Sequence, residues 1–542
     1  MDRRLTARLI ATIALLAVGC RATPAPDPQP APPPDDGITQ PADDGGSVTV
    51  YGCPTRTLLP QDNRDLCGAR IITQLFSGLV ELDPASGTPR LLVASSIETD
   101  DAMHWTIELE RGWSFHDGEA VTAQSFIDAW NFAAHPDNDL RNAEFFSDIT
   151  GFDAVQAGQA ATLAGLERID KHTFAVHLDQ PFAPFLSKLS DPAFFPLPSI
   201  AYEDLAIYGR QPIGNGRYEL REYDPERHAI LQRHEAWTGA DPGMPERVTF
   251  LLYSGEAAVE TAYQDVLAGA LDVLDDVPPS RLDDVEDDFG PRVVRTPTSA
   301  LTSLGFPLYN ETFGSRPQLR RAFSLALDRE AIVNEVFAGS QQPADALIPP
   351  VLDAHRSGAC DACRFDPEEA RTLLADAGGW QGPLVVHYNS GGGHDAWMRA
   401  IADQWRTTLG IDEVIYQARE FPAYINQLED RAMHGPFRVA WALSYPSPEY
   451  ALAEPFRQEG AANYTGYGNP SFDEALDRAV ASTPDASVAA YQQAEDFVLD
   501  DLPVIPLWFS TSTSVHSSRV DDIVVDATSV LRVDRLRVTT TP

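Results

Sequence analysis

Few side chains in this 542-residue chain stand in spacings that suit chemistry. His116 adjoins Asp117, a pairing that can shuttle a proton, but no third group supports it and Asp117-Gly118 reads as a turn. Cys360 and Cys363 form a CxxC just ahead of a helix signal, where the first thiol of a redox pair would be acidified. No thioredoxin-type strand precedes it, and two more zinc ligands are not nearby. The lone GxG of Pro212-Ile213-Gly214-Asn215-Gly216-Arg217-Tyr218 lacks the rest of a phosphate-binding fingerprint, so a glycine turn between strands is expected. Gly391-Gly392-Gly393 before a helix can hold an anion, yet a flexible connection is the commoner use. None of the 12 histidines has metal-ligand spacing, and GxSxG, HExxH and P-loop motifs are absent. The residue pattern argues against an enzyme, and no metal or cofactor is expected.

The elements that would position any site centre on residues 306–350. From Pro317, apolar residues at Leu319, Ala322, Phe323, Ala326 and Leu327 trace one buried helix face, with Arg320, Arg321 and Arg329 assigned to the polar face. Ala331, Ile332, Val336 and Phe337 continue as a second helix ending at Gly339. Alternating strands are expected at Val48-Thr49-Val50-Tyr51, Trp105–Leu109, Thr173–Leu178, Leu384–Tyr388 and Phe437–Leu443. Thr122 should cap a helix with Phe126, Ala129, Trp130 and Ala133 inward, and Asp366 one that opens on Pro367. Trp397 and Trp405 lie on a helix face as core, and Ser471 with Glu474 reads as a capping box.

The ends and the composition set the compartment. Arg3, Arg4 and Arg8 precede an apolar run from Leu9 to Val18, too short to span a bilayer and so a secretory signal over residues 1–20. Residues 21–46 carry eight prolines and cannot bury enough apolar surface to fold. Such a tether reaches at most about 80 Å at roughly 3.1 Å per residue. Cysteines 53, 67, 360 and 363 are an even set in an exported chain; of three connectivities, Cys53–Cys67 and Cys360–Cys363 are the simplest. Eighty acidic against 40 basic residues leave a net charge of −40, which argues against a nucleic-acid partner. With 43% apolar residues the chain can build two or three cores.

Several passages together resemble the large oligopeptide, dipeptide and nickel-binding family of extracellular solute-binding proteins, the ligand-capturing components of ABC importers. They are Arg316 to Pro350 around LRRAFSLALDREAI, WTIELERGWSFHDGEAVTAQSFIDAW, the IGNGRY turn, RHEAWTGADPGMPERVTF, WALSYPSPEY with the later NYTGYGNPSFDEAL, and LPVIPLW. Ala17-Val18-Gly19-Cys20 likewise resembles a lipobox with Ala17 in place of leucine, which implies lipidation of Cys20 and anchoring to the extracytoplasmic face of the cell membrane. The resemblance implies an α/β, two-lobed periplasmic-binding-protein-like (Venus flytrap) fold of the large peptide-binding type. One lobe would hold residues 47–300 plus 508–542, with an inserted subdomain at about 76–190, and the other residues 301–507. Hinge crossings are expected near Ser299 to Leu304 and Leu507 to Thr511.

It further implies a monomer that closes around a solute, most readily an oligopeptide, and hands it to the permease subunits. Alternatives on the same fold are a non-peptide solute such as a sugar or metal chelate, or a sensor or scaffold lipoprotein. Candidate ligand-binding residues are Tyr51, Thr57, Trp441, Ser444, Tyr445, Asn463 and Tyr464. Peptide binders of the family place an aspartate, which pairs with the peptide's amino terminus, where this chain has Ser444. A serine supplies no countercharge to an ammonium, so another acid, Glu449 or Glu420, takes over or the ligand lacks a free amine.

Overall fold

A computed structural model describes residues 46–539 apart from residues 85–86, 240–242, 256, 391–392 and 483. The expected signal, Cys20, nearly all of the expected tether, and Gly391-Gly392 lie outside the described residues.

Two strands of 13 residues, Val293–Gly305 and Val504–His516, run antiparallel through the middle of an 11-stranded sheet. On one side of the pair follow Phe437–Trp441, Leu384–Asn389 and Val414–Arg419. On the other follow Val273–Leu274, Ser47–Gly52, Arg247–Leu252, His228–Arg233 and Tyr218–Asp224. The apolar run Val504 to Phe509 is buried throughout, because helices cover both faces there. The ladder between the long strands breaks between Pro297 and Leu301. Proline has no N–H to give to it, and Thr298 Oγ1 donates to Ser510 O at 3.1 Å instead. One lobe lies at each end of this pair, with the break in the ladder between them.

A separate antiparallel sheet orders Ala94–Glu98, His104–Leu109, Thr173–His177 and Leu166–Arg168. Helix Ala123–Ala134 packs on it; Thr122 and Ser125 form the capping box, and Phe126, Ala129, Trp130 and Ala133 point inward. Trp130 Nε1 donates to Phe194 O at 2.9 Å, which fixes the loop from Ser190 to Phe195.

In the other lobe the whole expected stripe, Leu319, Ala322, Phe323, Ala326 and Leu327, is buried, although helix Pro317–Leu325 stops before its last two members. Each buried Leu or Phe of the stripe contributes about 1.5–3 kcal/mol. Two of the three arginines assigned to the polar face are buried instead. Arg320 donates to the carbonyls of Phe313, Asp501 and Leu502. Arg329, the first residue of helix Arg329–Phe337, donates to Pro506 O (2.7 Å), Cys363 O (2.8 Å), Ser324 O and Leu327 O (both 3.3 Å) and Ser324 Oγ (2.8 Å). Both satisfy carbonyls that loops and helix ends leave open, a demand that helical periodicity does not register. The capping box expected from Ser471 and Glu474 is not the cap observed: Asn469 caps helix Pro470–Val480 by accepting from Ser471 N, because Pro470 fits the first turn, where no N–H is needed.

The sulfurs of Cys53 and Cys67, and those of Cys360 and Cys363, lie at bonding distance, with Cα atoms 5.2 Å apart in each pair. Both expected local pairs therefore form. Among the described residues no helix is long and apolar enough to cross a membrane.

Candidate functional site

A cavity of about 440 Å³ opens between the lobes, within the range of small-molecule sites. Most of its wall comes from segments around Asn63 to Leu82, Asn142 to Phe145, Ser190 to Phe195, Arg217, and Asp526 to Asp534. The opposite wall is Ala442, Leu443, Ser444 and Tyr450.

Each wall has a local cause. Helix Leu66–Leu75, capped by Asp65 at Gly68 N, ends at the cleft. Its end is held by the IGNGRY turn: Gly216 N donates to Leu75 O at 2.8 Å, and a Cβ on Gly214 would fall 1.8 Å from that oxygen. Asn215 both accepts from Ser77 N and donates to Ser77 O, each at 2.9 Å. The glycines permit this close approach. His116 serves the same turn, its Nε2 3.1 Å from Gly216 O, and burial lowers its pKa to about 4. The His116-Asp117 pair is thus a packed histidine beside a turn.

The floor is an ion network. Arg217 Nη2 meets Glu81 Oε2 at 2.8 Å, Arg532 holds Asp534 through two 2.9 Å bonds, and Arg532 Nη2 lies 3.5 Å from Glu81. The Arg217 guanidinium also covers the Trp237 ring at 4.5 Å. Across the cleft, Tyr450 packs against Trp441 and Tyr445, with ring centroids 5.3 and 4.6 Å away. Ser444 Oγ stands 3.4 Å from the Tyr450 hydroxyl.

Of the residues expected to bind ligand, Ser444 is exposed on the cleft wall. Trp441 lies behind it, its Nε1 donating to Tyr450 O at 2.9 Å. Trp441 and Tyr464 line a separate apolar pocket of about 50 Å³, too small for a solute of several heavy atoms. Tyr445 is buried and donates to Glu449 Oε2 at 2.9 Å. Asn463 spends its amide on Arg457 O and Tyr467 O, both at 2.8 Å, and its oxygen on Tyr467 N. Tyr51 is core, stacked on Tyr253, with the Arg70 guanidinium 5.2 Å from its ring centre. Thr57 Oγ1 accepts from Leu59 N at 3.1 Å and is not part of the cavity wall. Glu449 and Glu420, weighed as amine anchors, do not line the cavity either. Tyr450 and the Glu81, Arg217, Asp526, Arg532 and Asp534 group were missed. The Tyr450 signal was its place two residues after Pro448 at the strand end; the ion network had none, because Glu81, Arg217 and the segment Asp526 to Asp534 lie more than a hundred positions apart.

The sequence pattern of the bacterial extracellular solute-binding proteins, family 5 middle, matches residues 88–463. The chain belongs to this family. Among curated relatives of this family 5 protein, the periplasmic murein peptide-binding protein MppA of Escherichia coli is 28% identical over 460 residues, 82% of this chain and 83% of that one. The periplasmic oligopeptide-binding protein OppA of Escherichia coli is 26% identical over 484 residues, 85% of this chain and 86% of that one. Among solved structures, the unliganded open form of MppA superposes with a TM-score of 0.80 at 24% identity, covering 91% of this chain and 98% of that one. Haemophilus influenzae OppA in complex with RPPGFSPFR superposes at 0.72 and 22%, covering 92% and 99%. These likenesses show the two-lobed fold of the family 5 protein.

Proposed function

We propose that this family 5 protein captures a peptide between its lobes and delivers it to the membrane subunits of an ABC importer. The observation that carries the reading is the cleft itself. Its second wall is Ala442 to Ser444, the segment that leaves strand Phe437–Trp441; Ala442 and Ser444 make no backbone–backbone hydrogen bond among the described residues. A peptide in extended form can pair with such a segment whatever its side chains are. The ligand touches both walls only when the lobes approach, so binding shifts the population toward closure about the thinned ladder at Pro297 to Leu301. The relatives named for peptide binding support this assignment. On this reading the protein acts as a monomer outside the cytoplasm, held to the membrane by a lipid on Cys20, and has no catalytic role.

The test is mass spectrometry of small molecules released by acid from the protein purified without added ligand. Heterogeneous short peptides are the expected result. A single non-peptide compound, or no ligand together with no thermal stabilisation by a peptide mixture, overturns the peptide assignment. Intact mass of the membrane-extracted protein checks the anchor: it should begin at Cys20 with added acyl mass, and an unmodified amino terminus would refute it.

A further inference from the structure

Two carboxylates in the cavity wall are left without a partner on one side. Asp191 is 8% exposed; its Oδ1 accepts from Ala193 N at 2.8 Å, and its Oδ2 has no hydrogen bond or ion pair among the described residues. Asp526 is also 8% exposed; its Oδ1 accepts from Thr528 N, Thr528 Oγ1 and Val530 N, and again Oδ2 has none among the described residues. The cations of the wall are engaged elsewhere: Arg64 with Glu144, Arg217 with Glu81, Arg532 with Asp534. Lys188, which lies near Asp191, meets Asp148 at 2.5 Å. Facing them, Ser444 and Tyr450 contribute hydroxyls only. A buried carboxylate without a counterion is costly, and the cost vanishes when a cation arrives. Burial accordingly pushes the Asp191 carboxyl up to about 7 and that of Asp526 upward as well.

We propose that the cleft selects a ligand carrying positively charged nitrogen, and that Asp191 and Asp526 are the groups that receive it. The inference rests on reading this cavity as the ligand site and deepens the peptide assignment. The charge that Ser444 does not supply comes from the opposite wall, where an ammonium or guanidinium would donate to the open Oδ2 atoms. A terminal ammonium and a basic side chain offer the same chemistry.

Calorimetric titration of the full chain in mild detergent separates the cases. The probes are trilysine, trialanine, N-acetyltrialanine and spermidine, against the native protein, Asp191→Asn and Asp526→Asn. Asparagine keeps the carbonyl that accepts from Ala193, Thr528 and Val530, so the loops keep their bonds, and unchanged melting temperatures verify this. The native protein should prefer cationic probes to N-acetyltrialanine. Each variant should lose about 10- to 100-fold for cationic probes and nothing for the acetylated one. Loss on trialanine identifies the terminal ammonium, and loss on trilysine alone identifies the side chain. Loss in one variant only overturns the role of the other carboxylate. Equal affinity of the native protein for acetylated and free peptides, or unchanged affinities in both variants, overturns the proposal while leaving the peptide reading intact. Binding of spermidine but of no peptide upholds the cation receptor and refutes the peptide reading. Binding of none of the probes refutes the proposal.

Discussion

Arg329 is the sharpest test of how the second lobe is held together. Among the described residues its guanidinium has no carboxylate partner and instead bridges four carbonyls, tying helix Arg329–Phe337 to the central strand at Pro506 and to the disulfide loop at Cys363. Burial lowers its pKa to about 9, so the guanidinium is still charged at neutral pH, and its N–H groups are spent on those carbonyls. In Arg329→Met the side chain fills similar space and donates nothing. The two short bonds, at 2.7 and 2.8 Å, dominate. Leaving each buried acceptor unpaired costs about 1–3 kcal/mol, so the sum is about 4 kcal/mol. At roughly 2–4 °C per kcal/mol for a lobe of this size, the melting temperature should fall by roughly 10 °C. Arg329→Lys keeps one or two bonds and should fall by about half as much. Scanning calorimetry of the three proteins in one buffer at pH 7 reads the order Arg, Lys, Met. A loss below about 1 kcal/mol in Arg329→Met, or equal losses in Lys and Met, refutes the claim that the carbonyls depend on this guanidinium.

Further tests concern charge, the cleft wall and the bridges. Burial raises the Glu449 carboxyl to about 7 from 4.5, against the Tyr445 bond and Lys188, with Asp148 and Glu454 adding to the rise. The folded protein then holds a proton that the unfolded chain has released. Stability from this group is full below about 4.5 and is lost as pH rises through about 7, at about 1.4 kcal/mol per pH unit. Glu449→Gln should therefore be more stable than the native protein at pH 8 by up to about 3 kcal/mol and equal to it at pH 4, in denaturant melts at both pH values. Equal stability at pH 8 would show that the carboxylate is not desolvated. Asn215→Ala leaves both Ser77 backbone groups open and should cost about 2–4 kcal/mol while weakening ligand binding, since Ser77 lines the cleft; a variant that melts as the native protein does contradicts this. Replacing Cys53 and Cys67 together by serine opens a loop of about 15 residues and should lower stability by up to roughly 3 kcal/mol, read as a shifted urea midpoint with unchanged slope; no shift would show the bridge idle.

How far the sequence reached depended on whether a feature was local. The inward stripe of Leu319, Ala322, Phe323, Ala326 and Leu327, the Thr122 cap and the two disulfide pairings each involve residues close in the chain. A 3.6-residue period, a cap hydroxyl and a short loop are properties of the segment itself. The family was legible for a related reason: its signatures are runs of adjacent residues, and their order survives even at 28% identity.

The site was legible only in part, because it is assembled from segments far apart. Ser444 could be named from its place after a strand, whereas Asp191, Arg217 and Asp526 look like any polar loop residue until the fold brings them to one wall. Arg320 and Arg329 show the same limit from the other side. Periodicity put them in water, and tertiary structure buried them, because open carbonyls at Phe313, Cys363, Asp501 and Pro506 converge there. The sequence alone thus indicated most of the helices, the simplest cysteine pairings and the family, which short-range sterics and adjacent residues encode. Only the tertiary structure decided which charges are buried and which stay unpaired, because desolvation depends on everything that surrounds a group in space.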